Sequence, residues 1–201
     1  MKLGIIISLI GILMYWQGVE RELIETTSAE HSRIEYLSSE VFLNRANSLW
    51  LFKADSATVS GLVTEKYPNG TIAKKFMVVN GKKEGIQTSY YPDGKLKFYE
   101  TFSDNRLHGG VKRWTIENGY QLLAELTYKH GKLHGQQKKW YRTGELHKVM
   151  HLNMGKEDGM QKAFRKNGVL YANYQARNGR VFGLKRSNLC YELDNEKVVY
   201  R

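Results

Sequence analysis

An internal repeat with a period close to 24 residues constrains the fold of this chain more than any other feature. One column of glycines marks the start of each interval: Gly61, Gly85, Gly109, Gly135, Gly159 and Gly183. The successive gaps are 24, 24, 26, 24 and 24 residues. A fixed period in this range is typical of a repeat array, in which each unit is one supersecondary element. The periodicity therefore predicts the architecture before any single residue is considered.

Each interval contains two further turn signals. The first turn carries the glycines Gly70, Gly94, Gly119, Gly144 and Gly168. The second turn carries Gly81, Asn105, Gly131, Gly155 and Gly179. Asn-Gly and Asp-Gly between alternating runs are strong hairpin signals, because glycine and asparagine accept a positive φ at low cost. These glycines are interpreted as structural turn residues.

The second interval shows how one repeat is built. Ile86–Tyr91 reads as a strand, Pro92–Gly94 as a turn, Leu96–Phe102 as the return strand, and Asp104–Arg106 as the next turn. Five such hairpins predict an all-β fold, an elongated antiparallel meander. Residues 183–201 lack the second turn glycine and are expected to form a terminal cap.

Two aromatic columns run through the repeats. The first contains Lys66, Tyr90, Trp114, Trp140 and Phe164, and the second contains Tyr67, Tyr91, Thr115, Tyr141 and Arg165. Adjacent strand residues point to opposite faces, so both faces are expected to carry aromatic rings. The longer third interval is attributed to one-residue insertions at Gly110 and Tyr120.

The N-terminus contains a candidate membrane segment. Seventeen uncharged residues, Leu3 to Val19, follow Lys2 and precede an acidic flank. About seventeen apolar residues is the lower limit for a bilayer span. No small-residue cleavage pattern is present, so residues 1–19 are interpreted as an uncleaved signal anchor, with a cleaved signal peptide as the alternative. The positive-inside rule then places the repeats outside the cytoplasm, periplasmic or at the cell surface; a secreted or cytoplasmic chain remains the alternative.

A lead-in of residues 20–46 connects this segment to the array, which spans residues 47–201. Ile34, Leu37 and Val41 have helical spacing, and Ser28 is a candidate cap, so a helix is expected before the repeats. The segment Ser48–Gly61 is expected to form a hairpin with a turn near Asp55.

The positive charge is concentrated in the repeats. Residues 61–201 carry 26 Lys and Arg against 13 Asp and Glu, within a net charge of +11 for the chain. A basic surface favours an anionic partner: an acidic protein, phospholipid headgroups, an acidic glycan or nucleic acid. The structural alternative is that the lysines keep a many-stranded sheet soluble and protect its edges. Basic residues often occur as adjacent pairs, such as Lys138-Lys139, and each pair divides its charge between two faces, which argues against a nucleic-acid stripe.

The repeat resembles the MORN-repeat variant family of bacterial proteins, many of them labelled YwqK-type toxin–antitoxin antitoxins. The resemblance covers Gly61 to about Gly183, and Tyr90–Phe102 and His130–Gly135 are close to the family pattern. Ser48–Gly61 is similar to the family's leading hairpin. The resemblance implies a β-hairpin array that contacts proteins or membrane lipids, and it implies an antitoxin role as one possibility.

No set of residues predicts catalysis, a metal site or a cofactor. His108 and His134 occupy a position that is Phe182 in a sister repeat, which is unsuitable for a metal ligand. Cys190 lies beside Leu189 with no histidine after His151, so it is interpreted as a buried apolar residue. The chain is therefore interpreted as a non-enzyme.

The leading functional hypothesis is a membrane-anchored repeat scaffold that binds a protein partner through a basic, aromatic β-surface. The candidate surface residues are Tyr90, Tyr91, Trp114, Trp140, Tyr141, Lys138 and Lys139. The alternatives are a peripheral binder of anionic membrane lipid and a cytosolic antitoxin that neutralises a toxin. Nucleic acid is not the expected partner.

Overall fold

A computed structural model describes residues 34–184, 191–194 and 197–200. The chain divides into two compact units: residues 1–95 with 102–105, and residues 96–101 with 106–201. The expected anchor at residues 1–19, the start of the lead-in, and Cys190 lie outside the described residues. The described part contains strands and one short 3-10 helix, so the expected all-β class and its antiparallel hairpins are confirmed.

The first unit contains six complete strands. They are β1 (Glu35–Leu37), β2 (Val41–Asn44), β3 (Leu49–Phe52), β4 (Gly61–Lys66), β5 (Ile72–Val79) and β6 (Lys82–Tyr90). β4, β5 and β6 pair antiparallel in chain order, and β1 pairs parallel with β4. β2 and β3 form a separate hairpin.

The core of the first unit is apolar and contains one lysine at its border. Its buried residues are Val41, Val59, Val63, Phe76 and Val78. The Trp50 ring lies 4.8 Å from the Phe76 ring. The Lys83 ammonium lies 4.3 Å from the Phe76 centroid and donates to Gln87 Oε1 at 2.6 Å. Cation–π attraction compensates for part of the desolvation of this ammonium group.

The helix expected from the spacing of Ile34, Leu37 and Val41 is absent over these residues. The structure places β1, a 3-10 helix (Ser38–Glu40) and β2 there. Leu37 is exposed, Val41 is buried, and β1 adds to the edge of β4. The three side chains therefore do not share one apolar face, and strand pairing with the array determines the local structure instead of helical spacing. The rest of the lead-in lies outside the described residues.

The hairpin expected in Ser48–Gly61 is formed only in part. β3 and a turn at Asp55 are present, and Asp55 Oδ1 accepts a hydrogen bond from the Ala57 N–H at 2.9 Å. The second arm is reduced to a single bridge between Leu51 and Thr58. Val59 instead turns into the core, where it is fully buried.

The second unit contains the remaining strands. β7 (Leu96–Ser103) contributes its residues 96–101, followed by β8 (Arg106–Thr115), β9 (Gln121–Lys129), β10 (Lys132–Leu133), β11 (Gly135–Trp140), β12 (Leu146–Asn153), β13 (Lys156–Phe164), β14 (Leu170–Arg177), β15 (Arg180–Leu184), β16 (Tyr191–Asp194) and β17 (Lys197–Tyr200). From β8 to β15 the strands pair antiparallel in chain order, and β10 pairs with β9. β16 and β17 form a hairpin of their own within the expected cap.

The first turns of the repeats follow one design. Gly94 N–H donates to the Tyr91 carbonyl at 2.9 Å, and Tyr91 N–H donates to the Lys95 carbonyl at 2.8 Å. Gly94 has a φ of 83°, in the left-handed region that a side chain disfavours. The same bonds recur at Gly70, Gly144 and Gly168, and Gly119 also has a positive φ. A register shift next to the turn marks a β-bulge in each of these three hairpins.

The second turns are tighter and have positive φ at two successive residues. The residue pairs are Asn80–Gly81, Asp104–Asn105, His130–Gly131, Met154–Gly155 and Asn178–Gly179. Two residues with positive φ form the turn whose twist matches the flanking strands. His130 and Met154 adopt this conformation as well, which their residue types did not predict.

The two extra residues of the third interval do not lie where the sequence predicted. Gly110 pairs in register with Thr127 and is equivalent to Gln136 of the next repeat, so the expected insertion at Gly110 is wrong. Both extra residues lie between Trp114 and Leu122. Thr115 and Gln121 correspond to Tyr141 and Glu145 of the next repeat, which are joined by a backbone hydrogen bond, so the turn between the two arms is longer in the third interval.

Candidate binding surface

The second aromatic column links successive hairpins. Tyr67 Oη donates to the Tyr90 carbonyl at 2.7 Å, and Tyr141 Oη donates to the Phe164 carbonyl at 2.9 Å. Both bonds span 23 residues and join equivalent positions. These hydroxyl groups stabilise the stacking of repeats, so Tyr141 and the backbone of Tyr90 have a structural role. Tyr90 and Tyr91 are both half-buried.

The first aromatic column packs against the return strands of the second unit. Trp114 pairs with Leu122, Trp140 with Leu146, and Phe164 with Leu170. Each aromatic residue is half-buried, so part of each ring also faces solvent. The Trp114 ring stacks on Tyr120, with centroids 6.4 Å apart. We call the side of the second unit's sheet that carries Trp114 and Trp140 the tryptophan face.

The strand register separates the adjacent basic residues. Lys138 pairs with Glu125 and Val149, whereas Lys139 pairs with Ala124 and Lys148. Directly paired residues share a face and adjacent residues of one strand alternate, so Lys138 lies on the tryptophan face and Lys139 on the opposite one. The expected candidate surface is thus divided: the tryptophans and Lys138 lie together, and Lys139 lies apart from them.

The tryptophan face carries a basic row beside the tryptophans. Lys112, Glu125 and Lys138 lie side by side, and Lys162 follows beyond Val149. Lys112 Nζ lies 3.2 Å from Glu125 Oε1. Glu125 therefore offsets part of the positive charge on this face. Tyr141 stacks on His147 at 4.3 Å between ring centroids.

The opposite face, which we call the lysine face, carries a second row of cations. Across neighbouring strands the row contains Arg113, Ala124, Lys139, Lys148 and Ala163. Arg113 and Lys139 are exposed, and Lys148 is half-buried. Burial, with the charges of Lys148 and Lys139 as smaller causes, lowers the pKa of His147 below its ordinary value.

Buried glutamines have a structural role in the repeat that the sequence analysis did not predict. Gln137 has no exposed surface, and its amide group bonds both the N–H and the carbonyl of Thr127, at 3.1 and 3.0 Å. Gln161 occupies the equivalent position and donates to the His151 carbonyl at 2.7 Å. Both amides replace ladder bonds that are missing where the strand register shifts.

A sequence signal for this role exists. The position two residues after the column glycine is Val63, Gln87, Val111, Gln137 and Gln161. A column that alternates between valine and glutamine indicates an inward-facing position with a local polar requirement.

Two cavities lie in the second unit. The larger, about 350 Å³, is lined by Gly110, Lys112, Glu125, Thr127, Gln136 and Lys138, among others. The second, about 220 Å³, includes Lys148, Met150, Glu157, Gln161 and Tyr174. Each is lined by one carboxylate, whereas glycoside hydrolysis in most families requires two. Tyr174 Oη lies 2.8 Å from Glu157 Oε1, and burial and this bond raise the pKa of Tyr174 to about 12.

Two histidines of the second unit contact each other. The His108 and His130 rings lie 5.1 Å apart, edge to face. Across residues 34–184, 191–194 and 197–200, no group of three or more His, Cys, Asp or Glu is arranged to hold a metal ion. Over the same part of the chain, no helix has the length and apolar character needed to cross a bilayer.

Comparison with known families identifies one repeat directly. Residues 83–104 match the family model described as the MORN repeat variant. This segment contains most of β6, the Gly94 turn and β7, and its turn geometry recurs at Gly70, Gly144 and Gly168. The chain matches none of the curated proteins. Residues 83–104 therefore resemble a MORN repeat variant, and MORN repeats are generally scaffolds for binding proteins or membranes.

Proposed function

We propose that this protein is a non-enzymatic scaffold that is anchored to a membrane by residues 1–19 and holds a protein partner on the tryptophan face of its repeats. One observation carries the proposal: strand pairing and alternation place Lys112 and Lys138 on the face that carries Trp114 and Trp140. Tryptophan is among the residue types most enriched at the energetic centres of protein interfaces. The repeat therefore presents charge and aromatic surface together.

The anchor supports a location outside the cytoplasm for the repeats. The uncharged run from Leu3 to Val19 follows Lys2, and the next charged residues are Glu20, Arg21 and Glu22. By the positive-inside rule, this arrangement keeps the N-terminus in the cytoplasm. A scaffold on the outer side then meets envelope or surface proteins.

Location is the first test. Cells expressing a C-terminally tagged chain are fractionated, and the tag is then exposed to external protease. A membrane-bound, cleaved tag is the expected result. A soluble, protected tag contradicts the anchored scaffold and favours the antitoxin role, which needs a cytosolic pool of protein.

Partner binding is tested by photo-crosslinking in the same cells. A crosslinker at Lys138, on the tryptophan face, is compared with one at Lys139, on the lysine face. A protein adduct formed only from position 138 is expected. Adducts of equal yield from both positions would argue against binding by one face.

A second candidate function rests on the positive charge of the array. Residues 61–201 carry twice as many basic as acidic residues, and such a surface attracts anionic lipids near the anchor. In that case, the repeats bind phosphatidylserine vesicles, and the binding rises with anionic lipid content. Binding that ignores this content excludes the lipid function.

A further inference from the structure

One position of the repeat changes from threonine to lysine between the two units. The residue three places after the column glycine is Thr64 or Thr88 in the first unit, and it is Lys112, Lys138 or Lys162 in the second. The repeats with threonine form the same antiparallel hairpins, so the framework does not require a lysine at this position. The three lysines are therefore candidates for a role in binding.

The strands that carry these lysines also carry the first aromatic column. Two residues after each lysine, the second unit has Trp114, Trp140 and Phe164, on β8, β11 and β13. Residues two apart in a strand point to the same side, so each lysine shares the tryptophan face with the ring that follows it. All three rings are half-buried, so packing holds them in place while a part of each stays exposed.

Strand order fixes the spacing of the lysines. Glu125 lies between Lys112 and Lys138, and Val149 lies between Lys138 and Lys162, each as a direct cross-strand partner. Successive lysines are therefore two strands apart, which is about 9.6 Å, and the row spans about 19 Å. The aromatic row runs parallel to it, about 6.6 Å away along the strands.

Lys138 and Lys162 supply most of the positive charge that a partner would meet in this row. Lys112 Nζ lies 3.2 Å from Glu125 Oε1, so the charge of Lys112 is partly neutralised. Among the residues that the structure describes, Lys138 and Lys162 form no ion pair with a carboxylate. An anionic group can therefore contact these two lysines without displacing an internal partner.

A polyproline II helix has the spacing of this array. It has three residues per turn and rises about 3.1 Å per residue, so every third side chain faces the same way, about 9.3 Å apart. A β-strand instead repeats one face about every 6.6 Å, and an α-helix returns to nearly the same face after seven residues, about 10.5 Å. Over the two lysine steps, the mismatch is about 0.6 Å for the polyproline II helix and about 1.8 Å for the α-helix.

We propose that the tryptophan face binds an acidic segment of the partner protein in the polyproline II conformation, with a carboxylate at every third residue over the lysine row. The residues between the carboxylates, prolines among them, pack on Trp140 and Phe164. Aromatic surfaces recognise proline-rich segments in this way because the helix is preformed and loses little entropy on binding. The inference rests on the proposed scaffold function and specifies the partner's chemistry. Anionic lipid is typically recognised by clusters of four to eight cations, more than this row contains.

The test uses the detergent-solubilised full chain and three fluorescein-labelled peptides, with binding measured by fluorescence anisotropy. The first peptide repeats Glu-Pro-Pro, and the second replaces each glutamate by glutamine. The third repeats Glu-Pro-Pro-Pro, which turns successive carboxylates away from one face of the helix. The Glu-Pro-Pro peptide is expected to bind most tightly, because it alone combines the charge with the three-residue spacing.

Lys138→Gln and Lys139→Gln form a matched pair of variants, since the two lysines are adjacent on β11 and lie on opposite faces. Lys138→Gln is expected to weaken Glu-Pro-Pro binding about three- to fivefold, the effect of one partly exposed ion pair. Lys139→Gln should leave the affinity unchanged. Lys138→Gln combined with Lys162→Gln should lose about tenfold or more, because distant sites act nearly additively. Thermal unfolding checks that each variant folds like the wild type.

Several outcomes overturn the inference. Equal affinity for the three peptides, or equal losses in Lys138→Gln and Lys139→Gln, would show that neither the spacing nor the face matters. Binding to phosphatidylserine vesicles that Lys138→Gln abolishes, without binding of the Glu-Pro-Pro peptide, would identify a membrane as the occupant. A protein crosslink from position 138 that Lys162→Gln does not reduce would overturn the acidic segment but leave the scaffold function standing. Peptide binding by a chain that crosslinks to no protein in cells would instead contradict the scaffold function.

Discussion

Gln137 shows that a polar side chain can be part of the repeat's framework. Its amide group occupies the gap between the β10 and β11 pairings on β9, and its four hydrogen bonds reach Thr127, His134 and Gly135. A buried amide of this kind costs free energy unless each polar atom is bonded. The residue is therefore a structural element, although its type suggests a surface position.

Replacement of this amide tests its role. Gln137→Leu is expected to lower the free energy of unfolding by about 1–3 kcal/mol, because the Thr127 N–H and carbonyl lose their partner. Urea unfolding measures the change. Gln175→Leu, at an exposed position of β14, is the control and should stay within about 0.5 kcal/mol of the wild type. Equal effects of the two substitutions would contradict this role.

His147 makes the stability of the second unit sensitive to acid. Burial, then Lys148 and Lys139, lowers the pKa of His147 below 6.5 in the folded chain, so the unfolded chain binds the proton first as the pH falls. The contribution of His147 to the free energy of unfolding is therefore fully present above pH 6.5, and it is lost as the pH falls toward the pKa of the folded chain. His147→Phe keeps a ring against Tyr141 and should flatten this decline in urea unfolding curves recorded over a pH series. Parallel pH profiles would show that another group is responsible.

The hairpin is the element that the repeat period encodes. Asn-Gly and Asp-Gly signals located the first turns correctly, because few residues other than glycine accept a φ such as 83° at Gly94. The presence of a glycine did not predict a turn or an insertion at Gly110, which lies inside a regular strand. Gly94 and Gly110 differ in backbone conformation, which only the pairing register reveals.

These two glycines provide a matched pair of substitutions. Gly94→Ala should cost about 1–2 kcal/mol, because φ is positive although no atom lies within 4 Å of the added Cβ. Gly110→Ala meets no atom within 4 Å and has no positive φ, so it should be neutral or stabilising by up to about 1 kcal/mol. Thermal unfolding distinguishes the two. A larger loss at Gly110 than at Gly94 would refute the turn geometry.

At the scale of the whole molecule, stability is expected to be distributed over neighbouring repeats. Each hairpin buries its apolar side chains against adjacent strands, as Val111, Ala124 and Leu126 do in the second unit. Repeat arrays of this kind gain stability from each unit and from each interface between units.

A deletion in units of the period tests this distribution. Removal of residues 159–182, one 24-residue repeat, keeps strand direction and register, so the chain should still unfold cooperatively with a smaller urea m-value. Removal of residues 159–170 takes away one strand and its turn and leaves the following strand in the wrong direction. Circular dichroism and urea titration compare the two deletions, and similar folding of both would contradict a register-dependent array.

The sequence by itself determined the β-hairpin class, the positions of the turns and the alternation of faces, because glycine spacing and period-two alternation are local properties of the chain. Tertiary structure alone decided the rest. The spacing of Ile34, Leu37 and Val41 suggested a helix, but pairing of β1 with β4 formed a strand there. Cross-strand register brought Lys139 against Lys148 on one face and placed Lys138 beside Glu125 on the face of Trp140. Which residues oppose one another depends on pairing between distant strands, and no local pattern contains that information.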